Sequence, residues 1–526
     1  MKFNVKRKVI MQKNSILFVI LSAFTVFMWY FFFVPPSEQS YRQTAQPQNT
    51  AAVSESGDNK FKRADLNESD IDNIYVKEEY INIETKQYKA VLTNKGAGVL
   101  SWSVKEKNGQ WVDLVFPESA PVMANFPSLT YKIISKSDEK IVFEYVSKEG
   151  WKITKTYNLS DLYMHNLNIS VEKNGKTPFP QIDLKWGPGL GTDSKELKEN
   201  ISLTRALVYT AAKPNKLKKL KDNSEPASLC KWTAIDNRYF LAAFIPENST
   251  DFDKILLSRL DKKHPCSVIL KAAEPKDVNK KDYSVNFYLG PKGYKHLRTY
   301  DLGLEKTVDF GFFGFLGKIA FSALTFFYKL THNYGWAVIM LTVIIQILIL
   351  PLTLKSFKSS AEMKRMQPVI KDIQTKYKDN PQRLKAEMLN IYKSQKVNPL
   401  GGCLPMLLQL PIFWAFFTML RNAYELRNEG WILWVKDLSA ADQFMQFGSF
   451  NLNLLPLIMG IGMFFQQRMT TVTSDLSQRK IMYIMPVIFT FMFWSFPSGL
   501  VLYWLTNSLI SMVEQYFIIK KMRLSS

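Results

Sequence analysis

Seven polar side chains interrupt otherwise apolar runs of this sequence: Gln346, Gln409, Gln466, Gln467, Thr490, Asn507 and Ser508. All are amides or hydroxyls, which donate and accept hydrogen bonds without carrying charge. No Asp, Glu, Lys, Arg or His stands at the centre of any of these runs, so ion-coupled transport finds little support. The histidines (His165, His264, His296, His332) are scattered, and Cys230, Cys266 and Cys403 form no Cys-x-x-Cys, so no metal constellation is visible. Cys230 and Cys266 share one section and could pair in an oxidising compartment; two free thiols are the other reading. The chemistry left is hydrogen bonding at membrane depth. Each such residue could bridge helices, contributing about 0.6–2 kcal/mol. Together they could instead line a wet, half-open groove that shelters polar segments of another chain. No cofactor is called for.

The elements that must hold these residues are membrane spans. Trp336–Leu354 is an apolar run with Gln346 at its centre, and Leu404–Leu420 is a shorter one. A hydrocarbon core about 30 Å thick needs roughly 20 apolar residues of helix. Between them lies a loop rich in Lys and Arg, including Lys364, Arg365, Lys371 and Arg383. That bias predicts a cytoplasmic position. Met366, Ile370, Ile373 and Tyr377 fall at helical spacing. Asn380 can cap a second helix with Pro381 at its first position, and Leu384, Met388 and Ile391 form its stripe. A hairpin of two amphipathic helices over 355–397 is expected.

The 526 residues carry a net charge of +22, which invites a nucleic-acid reading. The basic residues cluster beside apolar runs, however, so topology and acidic lipid explain them first, and no DNA partner is inferred. Residues 1–36 read as an uncleaved signal anchor, because the apolar run Ile16–Val34 is too long for a signal peptide and ends in Pro35-Pro36. Residues 37–70 are polar and predict a flexible tether. From 71 to 309 the period becomes two, with Asn-Gly turns such as Asn108-Gly109, which predicts a large antiparallel sandwich. Trp186–Gly191 superficially resembles a phosphate loop but lacks the following helix, so a sheet-edge turn is expected. Residues 310–332 are aromatic, glycine-studded and broken by Lys318 and Lys329, as in an interfacial helix. Further spans follow at Leu452–Phe465, Ile481–Phe496 and Leu500–Ile519, leaving a short tail, 522–526. Trp431 and Trp434 are expected at interfacial depth. Every short inner loop is basic, so six spans with both termini in the cytoplasm satisfy the charge rule.

A string of motifs then becomes recognisable: Asn398-Pro-Leu-Gly-Gly-Cys-Leu-Pro405, Gln409-Leu-Pro-Ile-Phe413, Phe464-Phe-Gln-Gln-Arg-Met469, Met485-Pro-Val-Ile-Phe489 and Phe496-Pro-Ser-Gly-Leu-Val-Leu-Tyr503. It resembles the YidC/Oxa1/Alb3 membrane protein insertases, densely over 333–521. Over the middle section the match is thinner, at Asn237–Pro246 and Tyr288–Pro291, and resembles bacterial members with a large periplasmic domain. The resemblance implies a multi-pass α-helical inner-membrane protein with a five-span core, 333–521, and an all-β supersandwich periplasmic domain. It also implies no enzymatic activity and a hydrophilic groove closed on the outside, around Gln346, Gln409, Gln467 and Asn507. Substrate contact is implied at Thr342, Tyr503 and Trp504. Nascent membrane proteins, the Sec translocon, the ribosome and membrane lipids are the implied partners. One departure stands out. The family usually places an arginine in the groove where this chain has Gln346, so hydration and hydrogen bonding are expected to replace charge. A carbohydrate-binding middle domain is the reading from a different class; it would need convergent carboxylates or a His–Glu pair.

Overall fold

A period of two becomes a strand where one face can be buried. Along Trp151–Asn158 and Met164–Lys173, buried residues alternate with more exposed ones, as in a sheet packed on one face. The structure is a computed structural model that describes residues 77–524. It leaves out 118, 149, 175–178, 193–202, 211–216, 220–224, 260–264, 276–277, 379, 396–403, 448–449 and 471–475. The expected signal anchor and tether, the Gly401-Gly402-Cys403 turn, His264, the end of the tail and the side chain of Lys364 lie outside the described residues.

The two alternating strands belong to a nine-stranded antiparallel sheet. From edge to edge it runs Leu217–Lys219, Arg205–Thr210, Cys230–Asp236, Phe240–Pro246, Lys280–Pro291, Met164–Lys173, Trp151–Asn158, Lys140–Val146 and Lys132–Lys136. Two four-stranded antiparallel sheets accompany it, Tyr80–Glu84 to Trp111–Asp113 in sequence order, and Glu225–Pro226, Phe252–Ser258, Ser267–Ala272 and Asp183–Trp186. Trp102, Trp186, Trp232, Tyr88 and Tyr157 are fully buried among them. Cys230 and Cys266 are both buried, and the disulfide that their shared section allowed is not made. After Trp186 the chain turns through left-handed Gly187 and Gly189. A Cβ on Gly187 would meet Ser267 Oγ at 2.5 Å, so the glycine serves a tight sheet-edge turn.

The helical half consists of α1 (Tyr294–Arg298), α2 (Gly314–Thr331), α3 (Tyr334–Arg365), α4 (Gln367–Lys376), α5 (Pro381–Ser394), α6 (Leu404–Asn422), α7 (Leu454–Thr470), α8 (Leu476–Met492) and α9 (Ser498–Leu524). Within α3, Tyr334–Ser359 is long and apolar enough to cross a membrane. Helices α6, α7 and α8 have 19, 17 and 17 residues, or about 25–29 Å at 1.5 Å per residue. Pro351, Pro411 and Pro486 lie inside α3, α6 and α8, each removing one ladder donor. The sequence places the end of the span at Leu354, yet α3 continues to Arg365. Pro351 is its only breaker, and no glycine occurs between Gly335 and Gly401.

Helices α4 and α5 pack on each other. Asn380 Oδ1 accepts from Arg383 N at 3.1 Å with Pro381 at the first position, which is the cap the sequence predicts. Ile370 is buried, Leu384, Met388 and Ile391 are half-buried, and Arg365, Lys371 and Arg383 are exposed. Helix α2 buries Gly317, Ala320, Phe321, Leu324 and Thr325 against α3 and α6. Its other face exposes Phe315, Ile319, Phe326 and Leu330. That division is what an amphipathic interfacial helix needs.

The β domain is fastened to the helices through the segment after α6. Arg427 and Glu106, both almost fully buried, form an ion pair, and Asn428 Nδ2 donates to the same carboxylate at 2.8 Å. Arg427 also stacks over the Tyr239 ring at 4.3 Å. Arg238 Nε donates to Arg421 O at 2.8 Å, and Lys107 Nζ pairs with Glu429 Oε1 at 2.8 Å. Burial raises the Glu425 carboxyl above its ordinary range, although Lys107 lies near enough to oppose the shift. Trp431 is held against the start of α3. Asn333 Nδ2 donates to Trp431 O at 3.0 Å, and the indole covers Gly335, where a Cβ would lie 2.1 Å from the ring.

Candidate functional site

Two helices that pack on each other, α3 and α9, each carry a polar stripe at helical spacing. On α3, Thr342, Gln346, Thr353 and Ser356 fall at i, i+4, i+11 and i+14, and all are buried. Val343, Ile344, Ile347 and Leu348 make the opposite, exposed face. Thr342 Oγ1 donates back to Val338 O at 2.7 Å and Thr353 Oγ1 to Ile349 O at 3.3 Å. Their hydroxyls are therefore satisfied within the helix. Gln346, 6 % exposed, is the member with the largest polar head. Twelve residues from the start of α3, it sits about 18 Å along the axis.

On α9, Tyr503, Asn507 and Glu514 share one face at i, i+4 and i+11. Tyr503 stacks on Phe416 of α6 at 4.7 Å, and its hydroxyl accepts from the Gln409 amide. Gln409 and Tyr503, 94 residues apart, thus tie α6 to α9. Asn507 Oδ1, Ser508 Oγ, Glu514 Oε2 and Gln515 Oε1 are buried atoms with no hydrogen-bond partner among the described residues. Leu509, Val513, Tyr516 and Phe517 form the exposed face of this helix.

The structure brings Gln346, Gln409 and Asn507 onto the inner faces of three mutually packed helices, α3, α6 and α9. Gln467 is half-buried on α7, which packs on α9. Thr342 and Tyr503 are fully buried, so they belong to the interior faces and not to those turned outward. Trp504 is enclosed by Phe413, Phe489 and Phe493 at centroid distances of 5.1, 5.8 and 5.4 Å. Arg365, Lys371 and Arg383 lie apart, on the hairpin.

Glu514 and Gln515 are the site residues that sequence reading passes over. They lie beyond the centre of the apolar run, and only the helical phase of Tyr503 and Asn507 would have pointed to Glu514. At the end of the bundle near the β domain several polar groups are bonded, while Asp442 Oδ1, Asn453 Oδ1 and Trp434 Nε1 are buried without a hydrogen-bond partner among the described residues. Ser498 Oγ donates to Asp437 O at 2.6 Å, Asn453 Nδ2 to Trp494 O at 2.5 Å, and Asp442 Oδ2 accepts from Leu455 N at 2.5 Å.

The described histidines of the β domain are packed among aromatic rings. His165 is walled in by Tyr88, Trp102 and Phe287, and burial pushes its pKa down to about 3. His296 packs among Tyr163, Tyr288 and Tyr300, 3.2 Å from the Tyr300 hydroxyl, and is likewise lowered by burial. Neither has the carboxylate partner that sugar chemistry would need.

Fold and site together define a membrane-embedded helical core carrying a β-rich domain at one end. The family profile described as "60Kd inner membrane protein" matches residues 326–525, and that described as "YidC periplasmic domain" matches 113–323. A protein of Endomicrobium trichonymphae, named membrane protein insertase YidC, is 90% identical over 97% of this chain and 98% of its own length. One of the same name from Syntrophus aciditrophicus is 34% identical over 93% of this chain and 90% of its own length. A crystal structure described as an active YidC insertase with the first transmembrane domain resolved is 21% identical. It covers 84% of this chain and 93% of that one, with a TM-score of 0.39. The chain belongs to the YidC family of inner-membrane proteins with a periplasmic domain.

Proposed function

We propose that this chain is an insertase that moves newly made membrane proteins into the bilayer through a hydrophilic groove between α3, α6 and α9. The observation that carries this reading is the pair of polar stripes on facing helices. Gln346 and Asn507 are enclosed by apolar helices, and the α9 stripe keeps hydrogen-bonding capacity unused. Uncompensated buried polar atoms cost about 1–3 kcal/mol each. A groove that admits water and a passing polar segment would satisfy them.

In this reading six spans cross the membrane, five of them in the core, with both termini and the α4–α5 hairpin in the cytoplasm. The end of the bundle near the β domain faces the periplasm, as does that domain, and the groove is shut on that side. A client's apolar helix leaves along the lipid-facing sides of α3 and α9, driven by burial of its surface. Its polar end meanwhile occupies the groove near Gln346, with Thr342, Tyr503 and Trp504 reached as the helices part. The short α6, α7 and α8 thin the bilayer locally and shorten the crossing. The exposed cations of the hairpin suit acidic lipid headgroups or ribosomal RNA, and hand-over to or from the Sec translocon fits the same groove.

Photocrosslinking from positions 342 and 346 to a ribosome-stalled single-span client tests this. Crosslinks from both are expected, with none from position 348. Crosslinks from 348 alone would place the client on the lipid face and remove the groove from the pathway.

A further inference from the structure

The unpartnered buried atoms of α9 share a chemical character. Asn507, Glu514 and Gln515 each present an oxygen without a donor, and Ser508 Oγ lacks a partner as well. Of these groups Glu514 alone is a carboxylate, half-buried with its Oε2 sealed from solvent. It lies on the face of Tyr503 and Asn507, about 16 Å along the axis from Tyr503 towards the hairpin end. Arg468 and Lys520, at the same end of α7 and α9, are exposed, and no ion pair joins either to Glu514 among the described residues. On the facing helix the corresponding large polar group is Gln346, which supplies no opposite charge.

We propose that Glu514 sets the charge preference of the groove, favouring client segments whose polar end carries lysine, arginine or a free α-amino group over segments carrying Asp or Glu. The proposal rests on the insertase reading and deepens it. A segment entering from the hairpin end passes Glu514 before it reaches Gln346. A client ammonium or guanidinium there satisfies the sealed oxygen, while a client carboxylate meets a like charge in a site of reduced dielectric. Hydrogen bonding by Gln346 and Asn507 treats either segment alike, so discrimination comes from the one fixed charge.

The test reconstitutes the full chain in proteoliposomes without an imposed membrane potential, so that no external field acts on the client. Three single-span clients are compared by protease protection, with two lysines, two aspartates or two glutamines in the translocated tail. Yields for the charged tails are taken relative to the glutamine tail, so any general loss in a variant cancels. Wild type is expected to favour the lysine tail over the aspartate tail about tenfold. Glu514→Gln is expected to bring the ratio near one, Glu514→Lys to invert it, and Asn507→Asp, which adds a second carboxylate to the same face, to widen it. A ratio that stays the same in all four proteins overturns the proposal. A wild-type protein that inserts no glutamine-tail client overturns the insertase reading itself, which is a separate outcome.

Discussion

The β domain and the membrane bundle hold their buried carboxylates differently. In the β domain the buried carboxylates of Asp236 and Glu106 are matched by cations. Asp236, fully buried, takes Arg205 Nε at 2.9 Å and Lys292 Nζ at 2.9 Å, and Lys292 also donates to Asn237 O at 2.5 Å. Even Lys155, held far below its ordinary pKa by burial, donates to Met123 O. In the bundle, the Glu514 carboxylate has an Oε2 that is buried with no hydrogen-bond partner among the described residues, as are Asn507 Oδ1, Ser508 Oγ and Gln515 Oε1. A matched network fixes one structure, since each group is satisfied only by its neighbours. An unmatched row leaves capacity for something that arrives. The contrast separates a scaffold from a working surface within one chain.

If the β domain is the matched region, breaking its matches should be the most damaging change. His165, buried in the same domain with its Nε2 unpartnered among the described residues, adds a pH-dependent contribution. Its folded pKa is about 3 against an ordinary 6.5, so the unfolded chain binds the proton first. Stability is complete above pH 6.5 and falls as pH drops towards 3, at up to about 1.4 kcal/mol per unit for this group. The loss by pH 3 is of order 4 kcal/mol, and His165→Phe should flatten the profile when unfolding is followed by tryptophan fluorescence. Asp236→Ala strands Arg205 and Lys292 and should cost about 3–5 kcal/mol, read as a lowered denaturation midpoint. At the joint between the regions, Gly335→Ala drives a methyl into Trp431 and should cost about 1–3 kcal/mol, measured as a lower Tm in detergent.

The bundle should answer in the other direction. Asn507→Leu removes an uncompensated amide from an apolar surround and should raise thermal stability by about 1 kcal/mol while lowering insertion yield. Polar-to-apolar changes that destabilise both regions alike would erase the distinction between them.

Much of the scaffold was legible in order along the chain. The alternation of Trp151–Asn158 and the Asn380–Pro381 helix start are local signals, and both elements form where the residues place them. The continuation of α3 to Arg365 was hidden because the apolar run stops at Lys355, although the helix formers beyond it carry the helix through. The small hairpin Met445–Phe447 and Phe450–Leu452 was also missed, being too short for its period to show. The Arg427–Glu106 pair joins residues 321 apart, a spacing no local pattern can announce. At the site, the amides were visible as interruptions in apolar runs. Which of them would stay unbonded, and that Glu514 would join their face, depends on how α9 turns against its neighbours.

The account turns on water and a client reaching the face of Gln346. The direct test is thiol labelling of position 346 in a chain whose three cysteines are replaced, using a membrane-impermeant maleimide enclosed within inside-facing vesicles. Gln346→Cys should label from the cytoplasmic side at a rate well above Leu348→Cys on the lipid face, and should be protected when a stalled client is bound. Equal inertness at 346 and 348, with or without the client, would show a dry seam and contradict the account.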